Sequence, residues 1–123
     1  MTYQGFAAAW PEREGPFAEK INAMPKYVVS STLTDPDWNH TSVIPGDPVA
    51  AIRRLKEAPG KDIVQYGFGE LSSTLLAHGL LDELRLWVHP LFVGSAQPGE
   101  LLYRDGPTAR FDLVETTSLQ NGV

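Results

Sequence analysis

Two short runs, Lys26–Thr32 and Asp62–Tyr66, constrain the fold most, because each is rich in β-branched and aromatic residues and nearly free of charge inside its ends. Such runs suit strands covered on both faces, which is the situation of a parallel sheet. Between them, Asp47-Pro48 supplies an N-cap and a proline at the first helical position. The helix this predicts runs from about Pro48 to Glu57, buries Val49, Ile52 and Leu55, and stops at Pro59-Gly60. The second run leads directly into Gly67-Phe68-Gly69-Glu70-Leu71, after which Leu71, Leu75 and Leu76 share a helical face as far as a cap at His78-Gly79. A third strand is predicted over Leu84–His89. The order strand, helix, strand, helix, strand specifies an α/β domain with a largely parallel sheet.

The remaining segments fit around this frame. Residues 2 to about 10 form an amphipathic helix with Tyr3, Phe6 and Trp10 on one face and Pro11 ending it, and a second short helix covers Phe17–Asn22. Asp35-Pro36-Asp37 marks a turn and Ser42–Ile44 a short strand. Residues 94–109 read as a long Gly- and Pro-containing loop and Phe111–Thr116 as a last strand. In this pattern Trp87 belongs to the core, whereas Trp38, in a loop, is either core or a ligand-stacking ring. With 123 residues the chain fits one domain.

Composition removes several classes of function. The net charge is −5, and no basic run exceeds the pair Arg53-Arg54, which leaves no electrostatic footprint for a nucleic acid. There is no cysteine, so disulfides, thiolate metal sites and cysteine nucleophiles are excluded. No stretch reaches the length of a membrane span, and the first residues lack the pattern of a secretory signal, so the expected location is the cytoplasm.

Chemistry concentrates at two places. A strand followed by Gly67-Phe68-Gly69 and a helix starting at Glu70-Leu71 presents backbone N–H groups and a helix N-terminus to a phosphate. Taken alone, the same turn is equally a device for tight packing. Glu70 stabilises the helix dipole but repels a phosphate placed beside it. The hydroxyls of Ser30, Ser31 and Thr32 lie at the carboxyl end of a predicted strand, the edge where open α/β sheets bind ligands, although hydroxyls there also serve loop backbone. His40, His78 and His89 have no mutual spacing that suggests a metal site, and none is expected. Asp82 and Glu83 are adjacent in the chain, so in a strand they point to opposite faces; a solvated pair is expected.

The order of residues also spells out a family. Thr2-Tyr3, Phe6, Trp10-Pro11, the run from Asn22 to Ser30, Trp38-Asn39, Leu55-Lys56 and Gly60–Ile63 resemble the middle of a dihydrofolate-reductase-like reductase domain. The likeness continues through Gly67–Leu71, Gly79-Leu80-Leu81-Asp82-Glu83-Leu84-Arg85-Leu86, His89-Pro90, Val93-Gly94 and Asn121-Gly122-Val123. It is similar above all to the reductase domain of bacterial riboflavin-biosynthesis deaminase-reductases. The resemblance implies a three-layer αβα fold with a mainly parallel central sheet, and NADPH across its carboxyl edge. The adenosine phosphate end would lie near Ser30, Ser31 and Thr32, and the pyrophosphate near Gly67, Phe68, Gly69, Glu70 and Leu71, with Thr2 also touching the phosphates. The implied reaction is hydride transfer to a small heterocyclic or ribosyl-amine substrate, of the 5-amino-6-(5-phosphoribosylamino)uracil reductase type. A homodimer is the assembly implied.

Departures from the family pattern sharpen these expectations. Met24 stands where folate reductases carry an arginine for the folate carboxylate, so folate is not the expected substrate. Phe68 stands where they have a glycine joined by a cis peptide, a bond that here would cost about 3 kcal/mol. Family members begin with two strands and a substrate-binding segment that are not found before Thr2, and their final strand extends beyond Val123. The sequence therefore reads as a truncated domain, with no catalytic acid assignable. Two alternatives remain: a non-catalytic nucleotide-binding or structural remnant of the fold, and an unrelated flavodoxin-like binding domain, which leaves the Gly79–Leu86 run unexplained.

Overall fold

Helix α1, Thr2–Ala9, forms because its three closing alanines favour helix, and it ends where Trp10 still donates to the Phe6 carbonyl before Pro11, which has no N–H to continue the ladder. A computed structural model describes residues 2–94, 106 and 108–123 of the chain. Its described contacts divide into two units, Met1–Gly67 and Phe68–Val123.

In the first unit, α2 (Pro16–Ala23) starts after Gly15, whose φ of 104° suits glycine, and uses Pro16 at its first position. Its buried residues Ala18 and Ile21 form the local core together with Trp38. Strands β1 (Lys26–Val29) and β2 (Thr41–Ile44) pair in parallel, with Lys26 opposite Thr41 and Val29 opposite Ile44. Parallel partners require a crossover, and here residues 30–40 make it without a helix. Trp38 anchors that irregular connection: it is 7% exposed, its indole N–H donates to Asn22 Oδ1 at 2.8 Å, and its backbone N–H donates to Tyr3 Oη at 3.3 Å. A buried indole needs such a partner, and Asn22 supplies it while donating to the Trp10 carbonyl at 2.9 Å. Helix α3 (Pro48–Glu57) follows the expected bounds, with Asp47 Oδ1 accepting from Val49 N at 2.9 Å; Val49, Ile52 and Leu55 are half-buried.

In the second unit, α4 (Glu70–Ala77) ends at His78, and Gly79, at φ 64°, lets the Leu80 N–H return to the Leu75 carbonyl at 2.8 Å. Leu75 is buried. Near the end of the chain Gly122 has φ 85° and sits where a Cβ would come 3.2 Å from Pro90.

Three expectations about strands are corrected. Residues 62–66, 84–89 and 111–116 belong to no ladder, and the described sheet has two strands. Strand pairing is non-local: an apolar run becomes a strand only where another strand lies beside it, and the described residues include no ladder for these segments. Their side chains are exposed accordingly. Trp87, expected in the core, is 79% exposed, and Val64 and Val114 are 68% and 88% exposed. Strand β1 also ends at Val29 rather than at Thr32, and it is not covered on both faces, since Tyr27 is exposed. The loop expected over 94–109 lies largely outside the described residues. Among the described residues no helix is long and apolar enough to cross a membrane.

Candidate functional site

The hydroxyl of Thr2 and the backbone of Gly67 are brought together in the first unit. Phe6, one helical turn after Thr2, packs on Tyr66, the residue before Gly67, with ring centroids 5.2 Å apart. Residues four apart share a helical face, so this ring contact also brings the start of α1 to the end of the 62–67 segment. A Cβ on Gly67 would lie 3.8 Å from Thr2 Oγ1, and the φ of Gly67 is 81°. Space therefore permits a side chain at Gly67, but the left-handed backbone disfavours it.

Ser30, Ser31 and Thr32 lie immediately after β1. Ser30 N donates to the Ile44 carbonyl at 3.4 Å, which carries the β1–β2 pairing one residue further. The Ser30 hydroxyl accepts from Thr32 N at 3.2 Å and from Leu33 N at 3.0 Å, so it is engaged in holding its own turn. Ser31 and Thr32 are exposed beyond it. Ser30 thus shapes the loop, with Thr32 Oγ1 3.5 Å from its hydroxyl, and Ser31 is exposed beside them.

In the second unit, Phe68 is half-buried, Gly69 is the N-cap of α4, Glu70 is exposed in the first turn, and Leu71 is half-buried. The backbone of Gly69 is extended, with φ −160° and ψ −154°, and nothing lies within 4 Å of the position a Cβ would take. Neither conformation nor a described neighbour demands glycine there. The peptide bonds of the turn are trans. One contributor was not foreseen from sequence. Ser72 is 2% exposed, and its Oγ accepts from Gly69 N at 3.1 Å, closing the first turn of the helix back on its cap. Its signal was a serine three residues after a glycine N-cap, the spacing of a capping interaction.

The histidines serve backbone geometry. The His40 carbonyl accepts from Lys26 N at 2.8 Å, His78 caps α4, and the His89 carbonyl accepts from Leu91 N at 2.8 Å. Glu83 pairs with Arg85 at 2.5 Å; the guanidinium holds its carboxyl below the usual range, and both groups are exposed. Two open clefts in the first unit lie elsewhere, one lined by Asn22, Asp37 and Trp38 and the other by Tyr27, Ile44 and Arg54; neither includes a residue expected to touch the cofactor, although Trp38 was a candidate stacking ring.

Against known proteins, the family model described as the RibD C-terminal domain matches residues 2–123. An uncharacterized protein of Bacillus subtilis strain 168, YyaP, is 33% identical over 118 residues, spanning 92% of this chain. The match covers 61% of YyaP's own length.

Proposed function

The chain belongs to the RibD C-terminal domain family, and from that premise we propose that it is a reductase-type nucleotide-binding domain that takes NADPH and acts on a small heterocyclic or ribosyl-amine substrate. Gly69 carries the reading. A glycine that its own backbone does not need, standing at a helix N-terminus with open space where its Cβ would be, suits close approach by a ligand. The pyrophosphate would meet the backbone at the start of α4, where first-turn amides such as those of Glu70 and Leu71 have no intrahelical acceptor. Family resemblance alone assigns Thr2, Ser30, Ser31, Thr32, Gly67 and Phe68 to the same cofactor. When bound, the cofactor supplies a hydride; the protein orients it against the substrate and excludes water.

The finer fold reading belongs to the same proposal: a dihydrofolate-reductase-like αβα arrangement around a mainly parallel sheet. The parallel pairing of β1 with β2 and three further apolar segments of strand composition support it. A cytoplasmic location and self-association as a homodimer complete the reading. Glu70 favours a second possibility, a remnant of the fold that no longer binds, because its exposed carboxylate opposes a phosphate at the same helix end.

Titration of the chain with NADPH, followed by tryptophan fluorescence, separates the two. Saturable binding with a Kd above about 1 μM, abolished by Gly69→Val while Gly69→Ala leaves the thermal melt unchanged, supports the cofactor site. Absence of binding supports the remnant, and binding indifferent to Gly69→Val places the site elsewhere. Dihydrofolate should drive no NADPH oxidation, since Met24 offers no cation to its carboxylate.

A further inference from the structure

Ser72 makes a side-chain contact with the turn of the proposed pyrophosphate site and takes no part in the cofactor reading. A serine inside a helix ordinarily points to solvent or bonds back to a carbonyl one turn earlier. Thr74 behaves that way, donating to the Glu70 carbonyl at 3.0 Å. Ser72 differs, being buried to 2% exposure with its oxygen 3.1 Å from the Gly69 amide. Two consequences follow from that one hydrogen bond. The Gly69 N–H, which a phosphate at this helix end would otherwise use, is already taken. And Gly69, which as a glycine has wide conformational freedom, is held in one extended geometry, reinforced by Ser73 N donating to its carbonyl at 2.9 Å.

We propose that Ser72 is a positioning residue of the cofactor turn: it fixes the Gly69 backbone before ligand arrives and directs the phosphate to the amides of Glu70 and Leu71. This rests on the NADPH reading above. Without the hydroxyl, the glycine must be ordered at the moment of binding, and that entropic cost reduces affinity. The Ser72 oxygen contacts the turn and not the ligand, so its effect should be confined to the pyrophosphate end of the dinucleotide.

The test compares wild type, Ser72→Ala and Ser72→Cys, with NADPH and adenosine 2′-monophosphate as probes. Adenosine 2′-monophosphate carries the adenosine phosphate but no pyrophosphate. Ser72→Ala should weaken NADPH about three- to tenfold, the range of one lost hydrogen bond, and leave adenosine 2′-monophosphate unchanged. Ser72→Cys, similar in size but a poorer acceptor, should fall between. In the ligand-free protein the Gly69 amide resonance should shift and lose protection from exchange in Ser72→Ala, a signature that does not depend on any cofactor. Equal weakening of both probes would reduce Ser72 to a general structural residue and overturn the proposal. Unchanged or tighter NADPH binding by Ser72→Ala would also overturn it, the latter by showing that Ser72 withholds a ligand donor. Should wild type bind adenosine 2′-monophosphate but not NADPH, or neither, the cofactor reading fails and the proposal fails with it, whatever the Gly69 resonance shows.

Discussion

Lys26 Nζ lies 4.4 Å from the centre of the Trp38 ring and donates to the carbonyl oxygens of Asn22 and Met24 at 2.9 and 2.8 Å. One ammonium group thereby closes the end of α2 and covers the ring that anchors the 30–40 crossover. Cations are favoured at the carbonyl end of a helix, and an ammonium over an indole face adds a cation–π attraction.

Lys26→Met removes both interactions while keeping the apolar stem. Because partial burial also costs the ammonium some of its hydration, loss of these attractions is offset, and the net change in stability at neutral pH should stay within about 1 kcal/mol, read as the urea midpoint together with an altered Trp38 emission.

Alkaline pH adds a sign to this comparison. Partial burial lowers the pKa of Lys26 below its ordinary 10.5. Between the lowered value and 10.5 the unfolded chain binds more protons than the folded one, so wild-type stability should rise relative to Lys26→Met as pH increases through that window. Denaturation of both proteins across the window measures the slope. A falling difference would mean that the ring and carbonyls outweigh desolvation and hold the pKa above its ordinary value.

Thr41 begins β2 opposite Lys26, and its buried Oγ1 has no hydrogen-bond partner. Thr41→Val keeps the shape, removes the unsatisfied oxygen and retains β-branching. The expected result is a gain of about 1 kcal/mol, the lower range of the cost of an unpaired buried hydroxyl, seen as a higher melting temperature. A loss would show that the hydroxyl is satisfied in solution.

Ser30 and Ser31 should separate structure from binding. Ser30→Ala deletes the acceptor of two loop amides and should cost about 1 kcal/mol of stability together with some affinity for NADPH. Ser31→Ala should leave stability within about 0.5 kcal/mol and reduce the preference for NADPH over NADH, measured by competition of the two dinucleotides. If the two substitutions act alike, the turn does not divide these roles.

What could be read from sequence follows the range of the interaction involved. Helix ends were legible where their causes are local: Asp47-Pro48 starts α3, and His78-Gly79 closes α4. The candidate turn was legible for the same reason, its glycines and Glu70 being consecutive. The burial of Trp38 was not, because it depends on Asn22, 16 residues earlier. Ser72 escaped notice because a serine in a helix reads as a surface residue until its acceptor role toward Gly69 is visible. The apolar runs 62–66, 84–89 and 111–116 have strand composition, but composition cannot supply the neighbour that a ladder requires.

Those three runs lead to the last prediction. Ile63, Val64, Leu86, Trp87, Val88, Leu113 and Val114 are exposed on segments that belong to no described ladder. Apolar segments of strand composition outside any ladder can pair with another chain, and few monomers leave so many apolar groups in water. The 123-residue chain on its own should therefore be oligomeric or poorly soluble at micromolar concentration. Lysine at Val64 and Val88 should shift it toward monomer, because an ammonium that association would have to bury opposes pairing with another chain. Size-exclusion chromatography with a thermal melt decides the matter. A wild-type monomer that melts cooperatively would show that the three segments are satisfied within one chain, and the idea that they await partner strands would have to be abandoned.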